Sequence, residues 1–419
     1  LTGPYLQGDD KTVNRSFFTS NGSDVITEPT GYGLQVVSTG SVNLTAVDAS
    51  NNQLFGADIK AVDNVNILNS FFSGHQTVTF TPCLGLTFYG YGLTVVTEDD
   101  IFLNFVTANF NNLWGASLKG DDVTVYNSQF NNNVSDSNVF IDDTGLLVDA
   151  AGDVDIWKVE AKENRLIGAT IKADGDVYIA DSTFTDNRGF TCLYDWCPEG
   201  SITYHGYGLD VTTPGLIQVT GTNASNNNLF GASLNGAVVT VENSTFNNNG
   251  MGNGLTINAS DNVTLTNVTA LDNGGNGVEV DGVCQKIVTV TGGTFSDNAL
   301  YGLKVLDATL SLDGAQTFAN NGSGNVFTDT STCVIVIPTV LTTTIKTIKN
   351  TNPTTLPVIM SITTSTGDQG ATPVVTAQRT DNKSPDAKIG KYNKKTVKAE
   401  LDKKSKIRKN FVMKFRRAL

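Results

Sequence analysis

Several residue types that build common active sites are scarce in this sequence. Its 419 residues include two histidines, three methionines and three tryptophans. His75 and His205 are the only imidazoles, so a metal site made of several histidines is excluded. No apolar run reaches the ~20 residues that a membrane-spanning helix needs, and the longest, 333–341, contains Pro338. We therefore predict a protein without a membrane span.

Positive charge is scarce as well, except at the end of the chain. Residues 1–341 contain 11 Lys and Arg against 36 Asp and Glu, a net charge of −25, whereas residues 342–419 contain 17 against 5, a net charge of +12. A body this acidic repels phosphates, so nucleic-acid binding by the body is excluded. The basic tail is expected to bind an acidic surface, on its own body or on another copy of the chain. The alternative is a disordered basic end, or one that binds an anionic cell-wall polymer.

Cysteine is infrequent, with five residues in the chain. Their presence in an extended protein favours an oxidising compartment, and we predict an extracellular or cell-surface location. Cys192 and Cys197, in CLYDWC, are predicted to close the tip of one loop by a disulfide bond. The sequence opens at Leu1 without a signal-like segment, which predicts a mature or excised form.

Glycine, by contrast, is abundant and evenly spaced. Pairs of glycines that each precede a strand-like segment recur at 23 residues, and five identical intervals indicate internal repetition. The pairs are Gly33 and Gly56, Gly92 and Gly115, Gly145 and Gly168, Gly208 and Gly231, and Gly254 and Gly277.

A second motif marks the end of each repeat: Ala or Phe, two residues, then Asn. Ala and Phe alternate over most of the chain, and His75 replaces the Asn of one unit. The twelve units begin at Phe18, Ala49, Phe72, Ala108, Phe130, Ala161, Phe184, Ala224, Phe246, Ala270, Phe295 and Phe318. Units of this length hold short β-branched strands such as VNIL and VTVY, with alternating polarity.

Such units bury their apolar faces only by stacking on one another. A column in which Phe alternates with Ala keeps the interior volume constant from coil to coil. The Asn is predicted to take the left-handed turn conformation and to bond its equivalent in the next coil. We therefore predict an all-β parallel solenoid of about twelve coils over residues 1–341, followed by a Thr/Pro-rich linker and basic segment over 342–419. A β-sandwich with Asn-rich turns is the less favoured alternative.

The repeats with their NxxFxxN-like ends resemble the right-handed parallel β-helix repeats of the pectate-lyase superfamily and of bacterial surface adhesins. The resemblance covers about residues 14–337 and implies a right-handed coil. It does not imply one function, because this fold hosts lyases, hydrolases, epimerases and adhesins. The polygalacturonase set of NTD, DD, GHG and RIK motifs is absent as a set.

Four long intervals follow Phe units, at residues 22–31, 76–90, 134–143 and 188–206. We predict that they leave the stack at one corner of alternate coils, where a solenoid commonly binds its partners. Two of them are rich in aromatic residues, which can stack on sugars or form a protein interface. The predicted ligand-binding or partner-binding residues are Phe80, Phe88, Tyr89, Tyr194, Trp196, Tyr204 and His205. The alternative is that such rings cover the flank of the stack, above all Tyr91 and Tyr207.

Acidic residues follow the repeat glycines at a regular offset. If they share a turn, Asp99, Asp100, Asp121 and Asp122 could bind Ca²⁺ through their carboxylates. A solvated acidic edge is the favoured interpretation, so no cofactor is predicted and Ca²⁺ is the alternative. No set of carboxylates with a basic residue indicates a catalytic site.

Together these features predict an extracellular structural and adhesive protein of a cell surface or filament. It would bind glycans or copies of itself through the insertion corner and the basic tail. The alternative is a polysaccharide lyase or glycoside hydrolase that works on the side of the aromatic insertions.

Overall fold

The computed structural model describes residues 3–22, 31–75, 90–134, 143–189 and 206–331. The chain divides into two units, Leu1–Val336 and Ile337–Leu419, and all described residues belong to the first. They form strands and turns, and no helix occurs among them. The predicted domain boundary at residue 341 lies outside the described residues and stays a prediction.

Twenty-eight strands follow one another along the described part of the chain. They are β1 (Tyr5–Gly8), β2 (Lys11–Phe17), β3 (Tyr32–Ser38), β4 (Val42–Asp48), β5 (Phe55–Lys60), β6 (Val65–Phe71), β7 (Tyr91–Val96), β8 (Ile101–Thr107), β9 (Ala116–Gly120), β10 (Val123–Tyr126), β11 (Thr144–Ala150), β12 (Val154–Trp157), β13 (Ile167–Ala173), β14 (Val177–Ala180), β15 (Tyr207–Thr212), β16 (Leu216–Thr220), β17 (Ala232–Gly236), β18 (Val238–Glu242), β19 (Leu255–Ala259), β20 (Val263–Thr266), β21 (Thr269–Leu271), β22 (Val278–Asp281), β23 (Ile287–Thr291), β24 (Thr294–Ser296), β25 (Tyr301–Leu306), β26 (Thr309–Asp313), β27 (Thr317–Ala319) and β28 (Gly324–Asp329).

The strands form three sheets that run along the stack. Sheet 1 has 13 strands in the order β1-β3-β5-β7-β9-β11-β13-β15-β17-β19-β22-β25-β28, and sheet 2 has 12 in the order β2-β4-β6-β8-β10-β12-β14-β16-β18-β20-β23-β26. Sheet 3 contains β21, β24 and β27 and is continued upstream by single parallel bridges from Thr107 to Thr269. Each coil gives one strand to sheet 1 and the next to sheet 2. The predicted parallel solenoid of about twelve coils is therefore confirmed.

Alternation of polarity sets the inner and outer faces of each strand. In β10, Val123 and Val125 are buried whereas Thr124 and Tyr126 face outwards. The parallel register places Val123 against Val154 of the next coil. Inward side chains thus stack on inward side chains along the whole axis, and one contiguous apolar core results.

The Ala/Phe column lies inside this core, as predicted. Its inner members, from Ala49 to Phe295, are fully buried, whereas Phe18 and Phe318 near the two ends are partly buried. A second alternation, which the sequence analysis missed, completes the volume balance. The residue two positions earlier is Val or Thr in Ala units and Ser in most Phe units. Each coil therefore combines one larger with one smaller inward side chain.

The serines of this second column also bond between coils. Ser70, Ser128, Ser182 and Ser244 are buried. Each of their hydroxyls accepts a backbone N–H from the preceding coil at 3.1 Å, donated by Val47, Val106, Val159 and Thr222 respectively. The small side chain that makes room for Phe therefore also satisfies a buried donor.

A ladder of asparagines runs beside this column. The backbone N–H of each rung donates to the side-chain oxygen of the next rung, at 3.0 Å from Asn111 to Asn133 and again from Asn133 to Asn164. The ladder extends from Asn21 to Asn321, with donor–acceptor distances of 2.8–3.2 Å. The predicted bond between equivalent Asn residues of successive coils is present.

The predicted turn conformation of this Asn is wrong by one residue. The left-handed backbone belongs to the preceding position, with φ of 56° at Asn51, 55° at Asn132 and 58° at Glu163. The ladder Asn itself points inwards, and its Oδ1 accepts a backbone N–H of the preceding coil. Its Nδ2 can donate to the carbonyl of the Ala or Phe three residues earlier, as Asn52 does to Ala49 at 2.9 Å and Asn21 to Phe18 at 3.0 Å. This contact depends on the fixed A/F-x-x-N spacing.

The repeat glycines are required by close approach and not by their φ. A Cβ at Gly208 would lie 2.6 Å from Nδ2 of the ladder Asn227 and 2.5 Å from the carbonyl oxygen of Gly231. Such distances are shorter than any real Cβ contact tolerates, so only glycine lets the ladder pass over the start of each sheet 1 strand.

Replacing a ladder-side alanine by phenylalanine tests the packing of the core. Ala161 is fully buried between the Phe130 and Phe184 units, so Ala161→Phe would place three rings in succession. Overpacking should lower the free energy of unfolding by about 1–3 kcal/mol or more, measured by chemical denaturation. The control Thr264→Phe lies on the outer face of sheet 2 and should change it by less than about 0.5 kcal/mol. Equal stability of the two variants would contradict the inward orientation of the column.

Candidate functional site

The ends of the four insertions lie at one corner of the stack, between the Asn ladder and sheet 1. For the second insertion, the N–H groups of Asn112 and Leu113 in the next coil donate to the carbonyls of His75 and Gly90, at 3.0 and 3.2 Å. Exit and re-entry points are thus adjacent. Equivalent pairs of backbone hydrogen bonds hold the ends of the other insertions. For the first insertion, the N–H groups of Gln53 and Leu54 donate to the carbonyls of Asn21 and Gly31. The donors are Arg165 and Leu166 to Asn133 and Asp143 for the third, and Asn228 and Leu229 to Asn187 and Gly206 for the fourth.

The insertions themselves lie outside the described residues. This applies to every predicted binding residue, namely Phe80, Phe88, Tyr89, Tyr194, Trp196, Tyr204 and His205, and to the predicted disulfide partners Cys192 and Cys197. Their roles stay predictions. What the structure adds is the surface from which the insertions project.

An aromatic ladder flanks this corner on the outer face of sheet 1. Tyr32, Phe55, Tyr91 and Trp114 occupy the same position in four successive coils, with ring centroids 5.0, 4.8 and 4.8 Å apart. Further along, Tyr207 stacks on Phe230 at 5.2 Å. Because these rings cover each other, the faces between them are not free to hold a sugar.

Tyr91 and Tyr207 therefore cover the flank of the stack, which was one of the two interpretations of these residues. The sequence signal for the whole ladder is simple: an aromatic residue directly precedes many of the repeat glycines, as Tyr91 precedes Gly92 and Trp114 precedes Gly115.

Beyond this ladder, the outer face of sheet 1 carries ionisable groups. Burial raises the pKa of the Asp210 carboxyl, although a hydrogen bond from Ser233 acts in the opposite direction. Burial also raises the pKa of the Tyr207 hydroxyl, and the charge of Asp210 adds to the effect. A carboxyl that holds its proton more tightly, close to a tyrosine, is a candidate general acid.

Ion pairs also join neighbouring coils on sheet 1 and beside it, among them Lys304 with Glu279 and Arg165 with Asp143. The pair of Lys119 and Asp149 is exposed. Lys119 Nζ lies 2.6 Å from Asp149 Oδ2, and the hydrogen bond to Asp149 raises the pKa of Lys119. Such a pair on the surface stabilises the fold little. Its position on sheet 1 adds polar groups to the face beside the insertion corner.

The acidic turns between sheets 1 and 2 serve the backbone. The Asp100 carboxylate accepts the N–H of Asp122 at 3.2 Å, and Asp122 accepts the N–H of Asp153 at 2.7 Å. Burial raises the pKa of the Asp100 carboxyl, with smaller contributions from the charges of Asp122, Asp99 and Asp121. These carboxylates thus act as rungs of a capping ladder.

No group of three or more potential metal ligands occurs among the residues that the structure describes. Asp99, Asp100, Asp121 and Asp122 do not form such a group there, and the Ca²⁺ alternative at these residues stays a prediction.

His75 is a buried rung of the Asn ladder and not an exposed base. Its Nδ1 accepts the backbone N–H of Asn52 at 3.1 Å, as an Asn oxygen would. The backbone N–H of His75 donates to Asn111 Oδ1 at 3.2 Å. Its Nε2 has no hydrogen-bond partner among the residues that the structure describes. Burial lowers the pKa of His75 to about 4, against smaller opposing effects of the backbone of Asn52 and Phe72 and of Asp48.

The comparisons with known proteins agree with this architecture. A family model described as a right-handed beta helix region matches residues 197–340, about a third of the chain. The protein is a right-handed parallel β-helix. A search of curated proteins finds no match to it.

Solved structures that resemble this β-helix include the periplasmic alginate epimerase AlgG and two of its mutants. The identity is 12%, the TM-scores are 0.38–0.40, and the alignments cover 70% of this chain and 76% of the epimerase. A likeness at this level gives no information on the activity of the β-helix described above.

Two further findings concern the cysteines and the search for a membrane-spanning helix. Cys284 is disulfide-bonded, and the other four cysteines lie outside the described residues. Among those that are described, no helix is long and apolar enough to cross a membrane.

The replacement His75→Asn should make the stability of the β-helix less sensitive to acid. The unfolded chain protonates this histidine near its ordinary pKa of 6.5, whereas the folded chain does so only near 4. Stability that His75 provides above pH 6.5 is therefore lost as the pH falls towards 4. Between pH 7 and pH 5, wild type should lose about 2 kcal/mol more than the variant.

Chemical denaturation of both proteins at each pH measures this difference, and the carboxylates common to both cancel in the comparison. An identical pH dependence of the two proteins would show that His75 is not buried in its neutral form.

Proposed function

We propose that this β-helix is an extracellular structural and adhesive protein of a cell surface or filament. Its insertion corner would bind glycans or a second copy of the chain, through Phe80, Phe88, Tyr89, Tyr194, Trp196, Tyr204 and His205. The disulfide bond of Cys284 supports an oxidising, extracellular compartment.

One observation carries the proposal: the exit and re-entry points of all four insertions are bonded to the intervening coils at a single corner. Insertions on alternate coils start about 9.6 Å apart, twice the spacing of neighbouring strands. A row of loops on a rigid rod is suited to a long repetitive ligand, because several weak contacts then act together.

The basic tail supports self-association as the structural part of this role. Residues 342–419 carry a net charge of +12 and residues 1–341 a net charge of −25. Attraction between the tail of one molecule and the body of the next is a head-to-tail contact, and such a contact propagates into a filament when it does not close.

A polysaccharide-active enzyme is the second candidate, and a specific observation favours it. Asp210 and Tyr207 lie together on the outer face of sheet 1, and both hold their protons more tightly than usual. Turnover of an acidic polysaccharide that is abolished by Asp210→Asn, with or without Ca²⁺, would establish the enzyme in place of the adhesin.

Removing two insertion aromatics tests the adhesive role. The double variant Tyr89→Ala/Trp196→Ala should bind polysaccharide-coated beads about thirtyfold more weakly, since each of the two rings contributes on the order of 1 kcal/mol of stacking. Its thermal unfolding should match that of wild type. The control Phe105→Asn removes an exposed ring, 52% accessible, at a bend with φ of 54° that suits Asn. Undiminished binding by the double variant would show that these rings are not contacts.

Deleting residues 380–419 tests the role of the tail. The intact protein should assemble into rods or filaments that dissociate as salt is added, because the attraction is between opposite charges. The deletion variant should stay monomeric in electron micrographs and in sedimentation. Assembly that persists in the deletion variant would refute tail-mediated self-association.

A further inference from the structure

A groove of about 440 Å³ crosses four successive coils at the turns between sheets 1 and 2. It extends from Pro214 to Val283, and we name it the turn groove. It follows the carboxyl ends of the sheet 1 strands, whereas the insertions join the chain ahead of the amino ends. The turn groove and the insertion corner are therefore separate surfaces.

Unequal turn lengths create the turn groove. A single residue, Ala237, separates β17 from β18, whereas five residues separate β22 from β23. The short turns form the floor, and Pro214 and Val283 stand at the two ends. Val283 is next to the disulfide-bonded Cys284, so one end of the groove belongs to a covalently fixed turn.

One wall presents a polar side chain in each of three successive coils. Asn235, Asn258 and Asp281 are exposed, line the groove and follow one another in the parallel register. At the ~4.8 Å spacing of neighbouring strands, their polar groups recur along the axis at about the length of one sugar ring in an extended chain.

The two amides on this wall are not used by the fold. Asn235 and Asn258 make no side-chain hydrogen bond within the described part of the chain. Amides on neighbouring coils elsewhere do pair, as Asn127 does with Asn104 at 2.9 Å and Asn66 with Asn43 at 3.1 Å. Two adjacent amides that stay unpaired in a groove are available to a ligand.

We propose that the turn groove binds an extended chain of a neutral polysaccharide, parallel to the stack axis. From the Pro214 coil to the Val283 coil there are three steps, or about 14 Å, enough for about three sugar rings. The amides of Asn235 and Asn258 would donate to and accept from the sugar hydroxyls, and the Asp281 carboxylate would accept from them.

An extended peptide fits the turn groove less well. A peptide that adds to a β-structure needs free backbone groups, and the backbone around the groove is already bonded between coils. Ala237 N–H donates to Gly215 at 2.8 Å, Ser260 N–H to Gly236 at 3.2 Å and Gly282 N–H to Leu306 at 3.0 Å. The turn groove therefore offers a ligand its side chains and not its backbone groups.

The negative charge in and around the turn groove disfavours the binding of an acidic polymer. Asp281 lines the groove, and residues 1–341 carry a net charge of −25. Lys286 beside the groove is already paired with Asp261 at 3.0 Å. A polyanion would thus meet repulsion that a neutral chain avoids.

Isothermal titration calorimetry with the full chain tests the proposal. The probes are three neutral hexasaccharides (cellohexaose, xylohexaose and mannohexaose), hexagalacturonate, and a hexapeptide of Gly and Ser. At least one neutral saccharide should bind, and the double variant Asn235→Ala/Asn258→Ala should bind it about tenfold more weakly. Ser260→Trp, at an exposed position in the lining, should abolish binding by filling the groove.

Matched controls lie on the same coils but on the outer face of sheet 2: Thr240→Ala/Thr264→Ala for the double variant and Thr264→Trp for the filled groove. Both should bind as wild type does. Tyr89→Ala/Trp196→Ala should also retain this binding, which separates the turn groove from the insertion corner. The proposal is overturned if no neutral hexasaccharide binds, if hexagalacturonate or the peptide binds more tightly, or if binding survives both groove variants.

Discussion

The Asn ladder is the interaction on which the rest of this β-helix depends. Each amide oxygen accepts a backbone N–H of the preceding coil, so it fixes the distance and the rotation between coils at one point in the cross-section. The neighbouring columns follow from that constraint. Glycine is needed where the ladder crosses the start of sheet 1, as at Gly208. Phe alternates with Ala from Phe18 to Phe295, which keeps the interior volume constant, and two rings stack only at the end of the column, where Phe295 lies 5.3 Å from Phe318.

The same ladder allows the surface to vary freely. The chain leaves the core directly after a ladder residue and returns just before the glycine of the next strand, as between His75 and Gly90. Both ends are held by the next coil, so an insertion of any length leaves the stacking intact. The scaffold and the binding surface can therefore change independently, which is how one fold hosts many functions.

Periodicity was enough to predict the fold, because stacking repeats the same environment in every coil. It predicted the buried Ala/Phe column and the coil-to-coil Asn bonds, and it failed where position within the turn matters. The left-handed residue is Asn132 and not Asn133, a one-residue difference that spacing cannot resolve. The Tyr32–Trp114 ladder and the Val/Ser column were readable from the sequence but were missed, since each needs two adjacent positions to be compared between coils.

The candidate sites were less predictable, for a physical reason. A repeat fixes which residues face inwards. The turn groove, however, arises from turns of unequal length at Ala237 and after Asp281. Such departures from the repeat cannot be derived from the repeat itself. A regular column, such as Asn235 and Asn258, presents the same functional group once per coil. It therefore suits a polymer whose units recur at a similar distance. Catalysis requires unlike groups to converge, which on the described part of sheet 1 happens around Asp210 and Tyr207 and around Glu279, which bonds Lys304, Asn253 and Asn276. A regular column therefore suits binding to a repetitive ligand, whereas a reaction would have to be centred where the repetition is broken.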